Sequence, residues 1–175
     1  MRPLGKVDRT AVCREDGGNR ERAEVSEFQP RFGGFEQKVR DSFARQPVMA
    51  TLGARIDALS AGRIELSMPY DPAFAQQHGF LHAGIVSTVL DSACGYAAFS
   101  LMEKEAAVLT VEFKANFLNP AQGQRFAFRA EVVKPGRTLT VATATAYAKQ
   151  DGQERAIATM TATLMALVGR SGVTG

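Results

Sequence analysis

The chain has 175 residues, 45% of them hydrophobic and 22% charged, with a net charge of +3. That is ordinary globular usage, with enough chain for one domain and a sizeable core, with or without a tail. Basic residues neither cluster nor interleave with aromatics, which argues against a nucleic-acid partner and leaves a positive field compatible with an anionic small molecule.

Residues 1–33 are charged, Gly-containing and poor in apolar periodicity, so they are expected to form a flexible or loosely docked arm ahead of one domain over residues 34–170. In GGFEQKVRDSFARQPVM, Phe35, Val39 and Phe43 recur every four residues and predict a short helix, which Pro47 ends. A hairpin follows, with its turn across Leu59 to Arg63 and with Ile64, Leu66 and Met68 on one face. Residues 70–82 read as a loop. The apolar run from residue 83 to about 102 is the longest helix candidate, and it is expected to be buried nearly all round. VLTVEFKANFL then alternates, with Leu109, Val111, Phe113, Ala115 and Phe117 expected inward and Thr110, Glu112, Lys114 and Asn116 opposite. NPAQG breaks that strand. RFAFRAEVV, the turn KPGR, TLTVATATAYAKQ, the hairpin turn DGQ and RAIATMTATLMAL complete four strands. The predicted class is α+β: a six-stranded antiparallel sheet wrapped around one long central helix.

Cys13 and Cys94 have neither metal-ligand spacing nor a disulfide framework. No stretch approaches the ~20 apolar residues of a membrane span, and residues 1–25 lack the apolar centre of a secretory signal. The expected location is the cytoplasm, with no membrane partner.

The chemistry concentrates in QQHGFLHAGIVSTVLDSACGYAAFS, residues 76–100. Glycine-bearing turns precede the apolar run, so the central helix should begin at His82 to Gly84. Its first amides have no partner within the helix, carry partial positive charge, and can polarise a carbonyl; a plain helix start with small residues for packing is the other reading. Asp91 lies in the apolar run and shares a helix face with Gly84, Thr88 and Gly95. It is either a carboxylate with room beside it for a substrate, or an Asp capped by the Ser87 or Thr88 hydroxyl. Asp91 is eight residues past Ala83, about 12 Å along a helix, whereas a base or nucleophile must lie about 3 Å from the reacting atom. If this is a site, Asp91 serves a carbonyl held by a second, antiparallel copy of the helix. A Ser-His-Asp or Cys-His arrangement is excluded, because His82 and Asp91 fall on opposite helix faces and no nucleophile elbow is present. His78 and His82 lack a third metal ligand.

QQHGFLHAGIVSTVLDSACGYA resembles the signature of the hotdog-fold, PaaI-like acyl-CoA thioesterases. That signature is a His-Gly-Gly motif with an Asp or Glu about nine residues after the His, here His82-Ala83-Gly84 and Asp91. The family's Asn or Gln ahead of the motif falls on Gln76, and its later Ser/Thr on Thr110; VVKPGRTLTVATATAY looks like its CoA-contacting segment. The resemblance covers about residues 50–167 and departs at Ala83, where many members have Gly. It implies a homo-oligomer, a dimer or a dimer of dimers, with sites between antiparallel helices. It implies that the amides of Ala83 and Gly84 polarise the thioester carbonyl, and that Asp91 of the other subunit acts as nucleophile or as base for water. Gln76 and Thr110 would position substrate or water, and His82, Gly136, Arg137 and Thr138 would meet the substrate or its CoA. No metal or cofactor is implied. Two other readings stand beside hydrolysis of acyl-CoA: a hotdog dehydratase or hydratase of 3-hydroxyacyl thioesters, and a non-catalytic acyl-CoA-binding module.

Overall fold

The computed structural model describes residues 28–169. The elements run α1 (Phe35–Ala44), α2 (Pro47–Thr51), β1 (Arg55–Ser60), β2 (Arg63–Pro69), α3 (Ala83–Phe99), β3 (Ala107–Phe117), β4 (Arg125–Lys134), β5 (Leu139–Gln150) and β6 (Gln153–Leu167). All six strands form one antiparallel sheet in the order β1-β2-β4-β5-β6-β3. Alternation along each strand gives the sheet one apolar face. Leu66, Phe128, Ala146 and Ala158 stand abreast across β2, β4, β5 and β6, and all four are buried. The buried apolar positions of β5 are Ala142, Ala144, Ala146 and Ala148. These small side chains let α3 lie close over the middle of the sheet, where Val89, Leu90, Ala93 and Ala97 are fully buried.

The helix is not buried all round. Gly84 is exposed, and Thr88, Asp91 and Gly95 are half-buried. These are the four residues that share one face, so the open stripe of α3 is the stripe that carries its only carboxylate.

The opposite face of the sheet is polar, with Thr143, Thr145, Thr159 and Thr161 on β5 and β6. It also carries an ion-pair cluster in which Arg129 reaches Glu154 at 2.7 Å and Glu65 at 3.0 Å. The Arg129 bond, then that from Lys149, holds the Glu154 carboxyl down to about 2.

Strand β3 departs from the expected facing. A bulge at Val111, between Thr110 and Glu112, puts two residues of β3 against one of β6, which reverses the alternation. Thr110 therefore stands beside Leu164, whose side chain is buried on the helix side, while Leu109 stands beside Met165. Past the bulge, Phe113, Ala115 and Phe117 stand beside Ala162, Met160 and Ala158 on the helix side. Even so, Phe113 is 47% and Phe117 53% exposed, as are Leu109 at 48% and Val111 at 53%. The cause is position: β3 is an edge strand, with β6 on one side and no strand on the other among the described residues.

Pro47 does more than end the first helix. It occupies the first turn of α2, where its missing N–H costs nothing. α1 docks through Val39, through Phe43 against Tyr96 with ring centroids 5.5 Å apart, and through Lys38. The Lys38 ammonium bonds the Met102 and Glu103 carbonyls at 2.9 Å and sits 4.1 Å from the centre of the Phe99 ring. Of the expected N-terminal arm, residues 1–27 lie outside the described residues. Residues 28–33 are held against the domain: Phe28 packs on the core, the Arg31 N–H bonds the Leu101 carbonyl at 3.4 Å, and the Arg31 guanidinium bonds the Gly136 carbonyl at 3.2 Å.

Candidate active site

The loop ahead of α3 is fixed by its own hydrogen bonds. Gln76 N–H donates to the Phe80 carbonyl at 2.8 Å, and its Oε1 accepts the His78 N–H at 2.7 Å. The Tyr70 hydroxyl donates to the Gly79 carbonyl at 2.8 Å. His82 then ends the loop as the N-cap of α3, with extended backbone and with Nδ1 accepting the Gly84 N–H at 2.9 Å. A neutral imidazole that accepts at Nδ1 carries its proton at Nε2. A Cβ on Gly84 would meet His82 Nδ1 at 3.0 Å and Cε1 at 3.3 Å, so the glycine is what leaves the ring room to cap.

That cap revises one expectation. The Gly84 amide is occupied by His82 and is not open to a ligand. The Ala83 N–H has no acceptor among the described residues, as expected for a first helical residue. The second free donor nearby is Gln76, whose Oε1 is engaged and whose Nε2 amino group bonds nothing among the described residues. Ala83 and Gln76 line one cleft of about 390 Å³, whose walls include Phe80, Val86, Phe117 and Ile157. Two N–H donors at an apolar cleft are suited to a carbonyl oxygen whose acyl chain is greasy.

Asp91 lies elsewhere. Neither nearby hydroxyl caps it: Ser87 Oγ donates to the Ala83 carbonyl at 3.0 Å, and Thr88 Oγ1 to the Gly84 carbonyl at 2.9 Å. Its partner comes from β3, where the Thr110 hydroxyl donates to Asp91 Oδ1 at 2.7 Å. That bond depends on the bulge at Val111, which turns Thr110 to the helix side. Oδ2 is left without a partner among the described residues. Cys94, one turn on, is buried; burial first, and the Asp91 charge second, push its thiol up to about 12, so it is no nucleophile.

The predicted residues thus fall into three groups within one chain. Gln76 and Ala83 sit at the start of α3, while Asp91 and Thr110 meet about two turns on, about 12 Å by helical rise. A third group is the turn between β4 and β5. Gly136 is required there, because a Cβ would collide with the Leu139 carbonyl oxygen. Its N–H reaches Thr140 Oγ1 at 3.4 Å, Arg137 and Thr138 are exposed, and the Thr138 carbonyl accepts from Ala166 N–H at 2.9 Å. Among the described residues, no three His, Cys, Asp or Glu side chains are grouped to hold a metal, and no helix is long and apolar enough to cross a membrane.

The sequence pattern of the thioesterase superfamily matches residues 78–155, the stretch that contains the helix start, Asp91, Thr110 and the β4–β5 turn. A crystal structure of a thioesterase family protein from Silicibacter pomeroyi is 87% identical. It superimposes with a TM-score of 0.77 over 78% of this chain and 100% of that one. The chain belongs to the thioesterase superfamily. At 19% identity, the E. coli PaaI protein of the phenylacetic acid degradation operon shares the fold, with a TM-score of 0.69 over 80% of this chain and 95% of that one. A Halobacterium salinarum protein named for an inferred esterase activity is 33% identical over 100 residues, which make up 54% of this chain and 66% of that protein. The match thus spans just under two thirds of that relative's length. The six-stranded sheet around one helix is the hotdog fold of this superfamily.

Phe80, Phe117 and Asn119, which belong to no motif, also line the cleft. The Asn119 side chain donates to the Ala156 carbonyl at 2.9 Å and holds the end of β3 against the cleft. The signal was available in FLNPA, where an alternating apolar strand runs into an Asn-Pro turn.

Proposed function

We propose that this thioesterase-superfamily protein hydrolyses acyl-CoA to a carboxylic acid and free CoA, in sites shared between two copies of the chain. The carrying observation is that each chain holds two complementary halves, too far apart to act on each other. The free Ala83 N–H and Gln76 amino group lie at the mouth of an apolar cleft, and the Asp91–Thr110 pair lies about two turns along α3. The exposed apolar edge strand β3 supplies the joint. Unpaired edge groups and apolar side chains favour continuation of the sheet into a second copy, which would bring its Asp91 to the start of the first copy's α3.

In that arrangement the thioester carbonyl accepts from Ala83 N–H and from Gln76, and the positive end of α3 stabilises the oxyanion as it forms. Thr110 fixes Asp91 through Oδ1 and leaves Oδ2 to work. Oδ2 takes a proton from water as the water oxygen adds to the carbonyl carbon; collapse of the tetrahedral intermediate breaks the carbon–sulfur bond, and the proton passes to the CoA sulfur. Direct attack by Oδ2, followed by hydrolysis of the anhydride, uses the same geometry. The acyl chain enters the cleft beside Phe80 and Phe117, and the Gly136–Thr138 turn meets the nucleotide end. The hydratase reading needs a catalytic histidine; in His82, one ring nitrogen is already committed to capping its own helix. The cytoplasm, where acyl-CoA is made and used, is the compartment we assign.

The test is a panel of aryl, short-chain and long-chain acyl-CoAs, together with subunit mixing. Asp91→Ala and Gln76→Ala proteins should each be inactive and should regain activity when mixed, because a mixed dimer has one intact site. Absence of rescue after proven subunit exchange, or full activity in a monomer, overturns the shared site.

A further inference from the structure

Three clusters lie outside the chemistry described above. A cleft of about 500 Å³ on the outer sheet face is built around Arg129, whose guanidinium is held by Glu65 and Glu154. The buried, unpartnered Ser67 Oγ has nothing beside it that points to a ligand. The third cluster is the strap of residues 28–34, which crosses the end of the sheet and brings a second arginine to the β4–β5 turn.

Arg31 is fixed at both ends. Its N–H bonds the Leu101 carbonyl, and its Nη2 bonds the Gly136 carbonyl. It lines two clefts of about 270 Å³ each: one with Pro135, Gly136 and Thr140, the other with Arg137 and Thr138. Neither Arg31 nor Arg137 has a carboxylate partner among the described residues. Glu103 also lines the second cleft and forms no ion pair with either guanidinium. Lys104 stands 6.0 Å from the ring of Phe32, next to Arg31 in the strap. Two guanidiniums without a carboxylate partner, one on the turn and one brought to it by the strap, are an arrangement for a multiply charged anion.

The register relates this turn to the thioester. Thr110, Leu164 and Thr140 stand abreast on β3, β6 and β5. Two strand spacings separate Thr110 from Thr140 by about 10 Å, and Arg137 lies three residues further along. The turn is therefore at the end of the sheet that holds the Asp91–Thr110 pair, within reach of the pantetheine arm that joins a thioester to its phosphates.

We propose that Arg31, carried by the 28–34 strap, is a phosphate-binding residue for the nucleotide end of CoA and acts beside Arg137. This rests on the acyl-CoA reading above, so its test includes a measurement that needs no turnover. In the full-length protein, Arg31→Ala should weaken binding of free CoA by about 10-fold, the loss of a charge-assisted contact open to solvent. Arg31→Lys should recover part of it, and Glu103→Gln should tighten binding. In kinetics, Arg31→Ala should raise KM for an acyl-CoA by a similar factor with kcat within about twofold, and should leave the same acyl group on N-acetylcysteamine, which has no phosphates, unaffected. Unchanged CoA binding in Arg31→Ala overturns the proposal. Equal loss with both thioesters overturns it as well, since the strap would then act only by holding the turn. A wild-type protein that turns over no acyl-CoA yet binds CoA through Arg31 would refute the hydrolase reading and leave this site standing.

Discussion

Replacing Asp91 by Asn separates a catalytic carboxylate from one that is merely accommodated. The two side chains have the same size, and an Asn Oδ1 still accepts from the Thr110 hydroxyl, which now bonds Asp91 at 2.7 Å. A bond to a charged acceptor is about twice as strong as a neutral one, so the change costs about 1 kcal/mol of hydrogen bonding. Removing a half-buried charge with a single partner returns a similar amount. Net stability should stay within about 1 kcal/mol, which at this chain length is about 2–4 °C in Tm. Turnover should respond very differently, because loss of general-base help alone lowers kcat by about 10²–10⁴-fold. KM should change little, as the Ala83 and Gln76 donors are untouched. Thr110→Val keeps the shape but frees Oδ1, and should lower kcat by about 10-fold, the value of roughly 1.4 kcal/mol of lost positioning. The assay is steady-state acyl-CoA hydrolysis followed by thiol release, with Tm measured on the same samples. An Asp91→Asn protein with near wild-type kcat and a Tm lower by 10 °C or so, far beyond the shift expected above, would show that the carboxylate is structural and refute the reasoning.

Phe113→Lys puts a charge on the exposed apolar edge of β3; sedimentation velocity should show a shift toward monomer, with activity falling in step with the dimer fraction. His82→Ala removes the N-cap bond to Gly84, which should cost about 1 kcal/mol and lower Tm by about 2–4 °C while leaving measurable turnover; complete loss of activity in a well-folded protein would favour the hydratase reading. The Glu154 carboxyl is held down to about 2 from an ordinary 4.5, so the folded state binds fewer protons than the unfolded chain between those values, and the stability this group contributes above pH 4.5 is lost as pH falls toward 2. Glu154→Gln should flatten that part of the Tm-against-pH curve, and an unchanged slope would remove the ion-pair cluster as its cause.

The elements were legible because their periods were clean. Ile64, Leu66 and Met68 alternate, the run after Ala83 is too long and apolar for anything but a covered helix, and KPGR and DGQ mark their turns. The facing of β3 was not legible, because a bulge adds one residue without any change in composition: Val111 looks like any other strand valine. Reading straight alternation through it sent Thr110 to the wrong side, although the family resemblance had singled out that residue. The burial of α3 was overestimated for a related reason. Gly84, Thr88 and Gly95 count as small helix residues in a pattern, and only packing tells that they border an uncovered stripe. The competition for the Gly84 amide was also hidden, since a histidine at an N-cap position is not distinguishable in sequence from one beside a ligand. The strap of residues 28–33 has no period at all. It is held by isolated contacts, Phe28 on the core and Arg31 on two carbonyls, and such contacts leave no trace in a pattern.

The strand order imposes a schedule on the nascent chain. Among the described residues β3 pairs only with β6, the last strand of this sheet in chain order, so it must wait while β4 and β5 are synthesised and paired with each other. Throughout that interval a segment bearing Leu109, Val111, Phe113 and Phe117 has no strand on either side, and the ladder that finally captures it closes a long loop, a slow step with an exposed sticky intermediate. Glu112, Lys114 and Asn116, interleaved with those apolar side chains, then serve as gatekeepers against pairing with the wrong chain. Replacing these three polar residues by apolar ones should therefore lower the yield of soluble protein during synthesis while leaving the folded core unchanged.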